Sequence, residues 1–141
     1  MYNTVDNGSS IEIDVEDVDR EALFRETLLA LSDVLADAGG GTAVTHEVEV
    51  SASDLDGLLV AWVNELIRLA AADGFVAERA YRDRLAATSF GARVAGEGGI
   101  PTERIRHVSC RSVGIKRLDD GAWSVRVHLN STARAQPCVD Y

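Results

Sequence analysis

Few residues of this chain have the types and the spacing that catalysis or metal binding requires. The three histidines are His46, His107 and His128. His46 lies on the apolar side of an alternating segment, where a hydrogen-bonded core histidine is more common than a general base. His107 and His128 fall in a predicted hairpin and could face each other, but no cysteine or carboxylate stands at the ligand spacing of a zinc site. The histidines therefore indicate neither a catalytic base nor a zinc site.

The candidate nucleophiles lack the surroundings that activate them. Cys110 has no neighbouring base motif, and Ser9-Ser10 lacks the glycine frame of a nucleophile elbow. A hydrolase or another enzyme that uses Asp6, His128 and Asn130 remains an alternative, because such groups act together where a fold brings them within hydrogen-bond reach around a pocket. We predict that the protein has no catalytic residues of its own.

The chain is acidic, and its charge is unevenly distributed. Residues 1–40 hold ten acidic and two basic residues, a net of −8, whereas residues 41–141 hold thirteen and twelve, a net of −1. The N-terminal third is therefore either an ordinary solvated face or a docking face for a basic protein. Direct RNA binding would rest mainly on basic residues that cluster in the sequence, namely Arg104, Arg106, Arg111, Lys116, Arg117 and Arg126. The overall acidity argues against direct nucleic-acid binding.

Length and composition indicate one cytoplasmic domain. The 141 residues are enough for a single core that buries about two thirds of the unfolded surface. The chain has no run of about eighteen apolar residues and no charged-then-apolar leader, so we predict neither a membrane span nor secretion. Cys110 and Cys138 fall in a predicted strand and in the C-terminal tail, where we expect free thiols. We predict a single domain over residues 1–141, with loose ends at about residues 1–9 and 132–141.

Hydrophobic periodicity predicts two amphipathic helices. The clearer one follows Ser53, a suitable N-cap, and closes at Gly74, a suitable C-cap. Its apolar stripe consists of Leu55, Leu58, Leu59, Trp62, Val63, Leu66, Ile67 and Ala70. An earlier helix is predicted over residues 19–36 and stops at Gly39-Gly40-Gly41. These glycines follow a helix instead of leading from a strand into one, so they indicate a turn and not a phosphate-binding loop.

Alternating segments predict about six short strands. They are residues 11–15, 43–50, 75–85 and 86–95, and a hairpin over residues 108–129 that turns at Asp119-Asp120-Gly121. Strands interleaved with two amphipathic helices that must bury their apolar faces predict an α+β sandwich. In it, both helices pack on one face of a mixed β-sheet.

Two of these segments resemble the archease family. The first spells Asp-Leu-x-x-Leu-Leu-Val-x-Trp-Val-Asn-Glu-Leu-Ile-x-Leu from Asp54, followed by Asp-Gly-Phe, and resembles the second helix of that family. The second, residues 108–129, resembles the closing hairpin, in which a Gly-Leu-Lys-type strand turns at an acidic Gly and returns as Trp-x-x-Arg-Val. The resemblance covers residues 5–131. It implies the archease fold and a protein cofactor that promotes guanylylation and multiple turnover of the RNA ligase of tRNA splicing.

The resemblance also implies a divalent-cation site, from which this sequence departs. The family holds the ion with an Asp at the end of an Asp-His-Thr-Ala-Asp stretch and with a second Asp at the end of the last strand. Here the first Asp of that stretch matches Asp6, but the metal-binding positions fall on Ser10 and Asn130, with Ser131 following. A further acidic position after the second helix falls on Ala71.

These losses predict a degenerate metal site. Losing one charge from a divalent ion's shell forfeits several kcal/mol even at an effective dielectric near 20, and about 1.4 kcal/mol is tenfold in affinity. We therefore expect no tightly bound metal. Weak, mostly hydrated Ca²⁺ or Mg²⁺ could bind beside Asp6 or Asp140, or the polar residues could simply cap a sheet edge.

The leading hypothesis is an archease-like accessory protein that binds and activates an RNA ligase of tRNA splicing or RNA repair. The alternative is a non-catalytic protein-binding module that kept the fold but lost the ligase-cofactor role. Both predict a protein partner.

Overall fold

The computed structural model describes residues 1–36 and 41–132. Within these residues the backbone forms two α-helices and seven β-strands, with a 3₁₀ turn at Thr102–Arg104. The helices are α1 (Arg20–Leu35) and α2 (Leu55–Asp73). The strands are β1 (Tyr2–Asp6), β2 (Ser10–Asp17), β3 (Thr42–Ser51), β4 (Val76–Leu85), β5 (Ser89–Gly98), β6 (His107–Arg117) and β7 (Trp123–Thr132). Neither described helix is long and apolar enough to cross a membrane.

The strands form two separate antiparallel sheets. One has four strands in the order β1-β2-β7-β6, and the other has three in the order β3-β5-β4. The α+β class predicted from the sequence is confirmed. The sequence also predicted a single mixed sheet, whereas the described strands form two sheets in which no pair is parallel. Parallel neighbours need a crossover connection, whereas here β1 and β2, β4 and β5, and β6 and β7 follow one another as hairpins.

Both helices pack against both sheets over one hydrophobic core. The strand residues that alternate inward, such as Ile13 of β2 and Val127 of β7, are fully buried. At the centre the Phe24 and Phe90 rings are stacked with centroids 4.1 Å apart, and the Trp62 and Phe90 rings form a T-shaped pair with centroids 4.9 Å apart. The Trp62 Nε1–H donates to the Phe24 carbonyl at 2.9 Å, so this large side chain is buried without an orphaned donor.

The boundaries of α2 follow from its caps. The N-cap is Asp54 and not Ser53, because the Asp54 carboxylate accepts the Gly57 N–H at 2.7 Å. At the other end Gly74 has φ 64°, a left-handed conformation that glycine adopts without a Cβ clash, and its N–H returns to the Ala70 carbonyl. For the first helix, the predicted stop at Gly39-Gly40 lies outside the described residues.

The predicted loose N-terminus is wrong over most of its length. Residues 1–9 contain β1, which pairs with β2 from Tyr2 opposite Val15 to Asp6 opposite Ile11. Its burial alternates weakly, because one face of this edge strand is open to solvent, and that is why periodicity did not reveal it. Of the predicted loose end at residues 132–141, Thr132 is the last residue of β7, and residues 133–141 lie outside the described residues. The strands predicted over residues 75–85 and 86–95 are confirmed as β4 and β5, although β5 extends to Gly98.

Candidate functional site

The two positions at which the resemblance implies metal ligands, Ser10 and Asn130, meet at one end of the four-stranded sheet. Ser10 at the start of β2 is the register partner of Asn130 near the end of β7. Their neighbours Ile11 and Leu129 are buried, so strand alternation places Ser10 and Asn130 together on the outer face. The sequence therefore identified two positions, 120 residues apart in the chain, that the fold makes neighbours.

Asp6 and Ser131 lie on the opposite, inner side of the same sheet end, around Arg106. The Arg106 guanidinium donates to both carboxylate oxygens of Asp6, through Nη2 at 2.9 Å and through Nη1. It also donates from Nε to Ser131 Oγ at 2.7 Å and from Nη2 to the Gly8 carbonyl at 2.9 Å. The four predicted residues therefore form two pairs on two faces. Arg106 was not predicted as part of the site, and no local pattern in the sequence links it to a residue 100 positions away.

Arg106 stabilises the ionised form of the Asp6 carboxyl group. The hydrogen bonds from Arg106 and then from the Gly8 N–H at 2.8 Å lower the Asp6 pKa to about 2. In return the pKa of Arg106 is raised, chiefly by the hydrogen bond to Asp6. The oxygens around the guanidinium are two carboxylate oxygens, a backbone carbonyl and a hydroxyl, so an internal cation already occupies this oxygen-rich position. Asp6 is not available as the carboxylate ligand of a metal at Ser10.

A small pocket of about 130 Å³ opens on the outer face beside Ser10. Its polar lining consists of Asn7, Ser10, Glu12, Arg111 and His128. Glu12, a residue that the sequence did not single out, supplies a carboxylate there. That carboxylate lies 3.4 Å from the Arg126 Nε and 3.9 Å from the His128 Nδ1.

These residues do not fit a divalent cation. Ca²⁺ and Mg²⁺ favour several oxygens including one or two unpaired carboxylates. Here Glu12 is already shared with Arg126, and the Arg111 guanidinium on the pocket wall opposes a second positive charge. Among the described residues no group of three or more His, Cys, Asp and Glu side chains could hold a metal ion. Asp140 lies outside the described residues.

The other sequence candidates do not converge on a reactive centre. Asp6 is on the other face of the sheet from His128 and Asn130, so the fold does not assemble the enzyme alternative that would use all three. His107 is the register partner of Thr132 and His128 of Ser112, so these histidines do not face each other. Burial raises the pKa of the Cys110 thiol, which makes it a poorer nucleophile.

His46 contacts the core, as predicted. Its ring forms a T-shaped pair with the ring of the buried Phe75, with centroids 4.5 Å apart. Cys138 lies outside the described residues.

The Asp6 and Arg106 pair predicts a defined acid sensitivity. The pKa of Asp6 is depressed in the folded protein, so its contribution to stability is complete above the unfolded pKa near 3.8 and is lost as the pH falls towards about 2. We expect Asp6→Asn to lower the urea midpoint at about pH 6 and to match the wild type near pH 2. Asp19→Asn is the control, because Asp19 makes no side-chain cap bond. A constant gap between wild type and Asp6→Asn across this range would contradict the assignment.

The fold and the site together define a small α+β protein in which β2 and the last described strand, β7, bring a polar sheet end together. The chain belongs to the Archease protein family (MTH1598/TM1083), whose family model matches residues 2–129. The resemblance seen in the second helix and the closing hairpin is therefore confirmed. Membership of this family supports a role as an accessory protein of RNA processing.

Two relatives illustrate the similarity. The chain is 26% identical over 118 residues to Protein archease of Pyrococcus abyssi, a match that covers 76% of this chain and 82% of the relative. The solution structure of Methanobacterium thermoautotrophicum protein 1598 superposes with a TM-score of 0.67 at 19% identity, covering 92% of this chain and 97% of the other. At that identity the second comparison shows the shared fold.

Proposed function

We propose that this protein is an accessory protein that binds and activates an RNA ligase of tRNA splicing or RNA repair, without a tightly bound metal of its own. The observation that carries the proposal is the family match over residues 2–129. The register pairing of Ser10 with Asn130 supports it, because the fold brings together the two positions at which the resemblance implies metal ligands. Any Ca²⁺ or Mg²⁺ binds weakly.

The acidic turn between β2 and α1 is the docking element that suits a basic partner. Val18 at its tip is 73% exposed, an unusual position for an aliphatic side chain. Acidic residues surround it in the sequence, with Asp17 before it and Asp19 after it. Asp17 accepts the Val18 N–H at 2.7 Å and the Asp19 N–H at 3.3 Å, which fixes the turn. An apolar residue on a fixed acidic turn suits a protein surface that carries a small apolar depression rimmed by basic side chains.

A pull-down and a turnover assay test this proposal together. We expect the wild type to bind the cognate RNA ligase and to increase its turnover of an RNA with a 3′-phosphate end. Val18→Ser with Asp19→Lys should weaken binding about tenfold or more, because it removes the apolar anchor and inverts a charge. Asp119→Lys changes the charge equally in the β6–β7 turn and should bind as the wild type does. If a folded wild type fails both to bind the ligase and to increase its turnover, the proposal is contradicted.

The second candidate is a protein-binding module that kept the fold and lost ligase activation. Two observations favour this candidate. Ser10 and Asn130 are uncharged, and the carboxylate of Asp6 is already hydrogen-bonded to the Arg106 guanidinium. It predicts a protein that binds a partner without increasing ligase turnover.

A carboxylate restoration experiment tests whether the metal site is degenerate. Ser10→Asp with Asn130→Asp would place two new carboxylates on adjacent register partners, beside Glu12 on the same face. We expect Ca²⁺ to raise the Tm of this double variant by several degrees while leaving the wild type unchanged, because a ligand that binds only the folded state stabilises it. Ser51→Asp on β3 with Asn64→Asp on α2, two exposed positions outside this sheet, adds the same charge and serves as the control. A wild type that responds to Ca²⁺ as strongly as the double variant would contradict a degenerate site.

A further inference from the structure

The outer face of the three-stranded sheet gathers arginines that are dispersed in the sequence. Arg79, Tyr81 and Arg84 of β4 are register partners of Ala95, Arg93 and Gly91 of β5. The alternate residues of β5, Ala92 and Val94, are buried in the core, so the β4 side chains and Arg93 lie on the face away from it. With Arg82 in the bulge, these five residues form what we call the arginine face: Arg79, Tyr81, Arg82, Arg84 and Arg93.

A strained bulge places part of this cluster. The β4–β5 register shifts between Tyr81 and Arg84, and Arg82 at the shift has φ 54°. A residue other than glycine rarely adopts this left-handed conformation, and such strain in native proteins concentrates at functional sites. The Arg84 Nη1–H donates to the Arg82 carbonyl at 3.1 Å and so fixes the bulge. Asp83, the next bulge residue, is paired with Arg25 of α1, which leaves Arg82 and Arg84 on the open side.

Each guanidinium group of the arginine face has a defined neighbour on this sheet. Arg84 lies across Gly91, where a Cβ would come within 2.6 Å of Nη2. Arg79 lies 6.0 Å from the centroid of the Tyr81 ring. Arg93 is paired with Glu47 of β3, and the positive charges of Arg93, Arg84 and Arg82 all help to lower the Glu47 pKa. Strand alternation also places Glu49 and Glu97 on this face, so its four arginines outnumber three carboxylates, of which Glu47 is paired with Arg93. The face is therefore net positive on a protein whose net charge is −9.

The basic residues that cluster in the sequence do not form such a patch. Arg106 is held by Asp6, and Arg126 is held by Asp14 at 2.8 Å. Arg117 lies 5.4 Å from the Trp123 ring. The residues that sequence proximity favoured for RNA contact are thus partly used within the protein, whereas strand pairing assembles a different set.

We propose that the arginine face binds single-stranded RNA, with guanidinium groups on successive phosphates and a base stacked on Tyr81. Guanidinium forks match phosphate oxygens, and a tyrosine ring beside arginines gives an unpaired base a surface on which to stack. The base displaces Arg79 from the ring and frees that arginine for a phosphate. The choice of RNA as the nucleic acid rests on the proposed function.

Fluorescence anisotropy of the full chain with a labelled single-stranded RNA of about ten nucleotides, at low salt and without ligase, tests the inference. Arg79→Gln, Arg82→Gln and Arg84→Gln together should weaken binding about tenfold or more and reduce the salt slope by about two, because about 0.7 counterions are released per phosphate contact. The matched control is Arg104→Gln, Arg111→Gln and Arg117→Gln, which removes the same charge elsewhere and should weaken binding less than about threefold.

Two single variants separate contact from folding. Arg82→Asn should keep the wild-type Tm, because Asn tolerates positive φ, while weakening RNA binding. Tyr81→Leu should weaken binding about fivefold or more without changing the salt slope, since stacking is not ionic.

Three results would overturn the inference: no binding by the wild type at low salt, equal losses in the two triple variants, or displacement of the RNA by polyglutamate at equal charge. The last result would assign the face to an acidic protein. Because ligase is absent from this assay, a negative result leaves the ligase stimulation experiment as an independent test of the proposed function.

Discussion

Gly96→Ala is expected to cost several kcal/mol of unfolding free energy, a large share of what a domain of this size has. A Cβ on Gly96 would lie 2.0 Å from the Val76 carbonyl oxygen and 2.8 Å from the Ala77 Cα. These are backbone atoms beside the first β4–β5 register shift, between Ala77 and Arg79, so no side-chain rotation relieves the clash. The strands must separate at this point, which would break ladder hydrogen bonds.

Urea denaturation of Gly96→Ala beside Gly114→Ala would measure this effect. Gly114 also lies in a strand, but a Cβ there meets no atom within 4 Å, so the control should stay within about 1 kcal/mol of the wild type. Equal destabilisation of the two variants would show that the cost arises from the alanine itself and not from the close approach of β4.

Trp62→Ala is the second substitution with a large expected effect. Removal of a fully buried tryptophan costs about 3–5 kcal/mol, through lost burial and the cavity that remains. At this position it removes the T-shaped contacts with the Phe24 and Phe90 rings and the hydrogen bond to the Phe24 carbonyl. Trp62→Phe should lose less, because it keeps part of the aromatic contact and loses the hydrogen bond.

Chemical denaturation followed by circular dichroism gives these values, with Trp123 as a second probe by fluorescence. Trp123→Ala is the matched control, because its ring is only partly buried and contacts the arginines Arg20 and Arg117 at the surface. We expect the control to cost less than half as much as Trp62→Ala. A cost below about 1 kcal/mol for Trp62→Ala would mean that the core repacks around the missing ring.

The sequence predicted those parts of the fold that depend on local periodicity. The stripe from Leu55 to Ala70 identified α2, because one face of a helix must be apolar wherever that helix packs. The alternation of Trp123, Val125 and Val127 identified β7 for the same reason. Edge strand β1 was missed, since a strand with one open face has a weaker pattern than a strand buried between neighbours.

The site was predictable only in part, because its contacts are nonlocal. The resemblance brought Ser10 and Asn130 to attention, and their register pairing places them together. The bidentate pairing of Arg106 with Asp6 has no local signature, since a surface arginine looks the same whether or not it is bonded. The arginine face depends on a one-residue shift in the β4–β5 register between Tyr81 and Arg84. Alternation cannot predict on which side of a bulge the chain resumes.

The order of strands in the larger sheet has a consequence for synthesis of the protein. β7 lies between β2 and β6, so the latest of the described strands to be synthesised joins the early strand β2 to β6. Until residues 123–132 emerge, the nascent chain exposes the apolar sides of β2 and β6 and cannot close its core. Residues 123–132 must therefore be synthesised before this fold becomes resistant to proteases, and products that stop short of them should be degraded quickly.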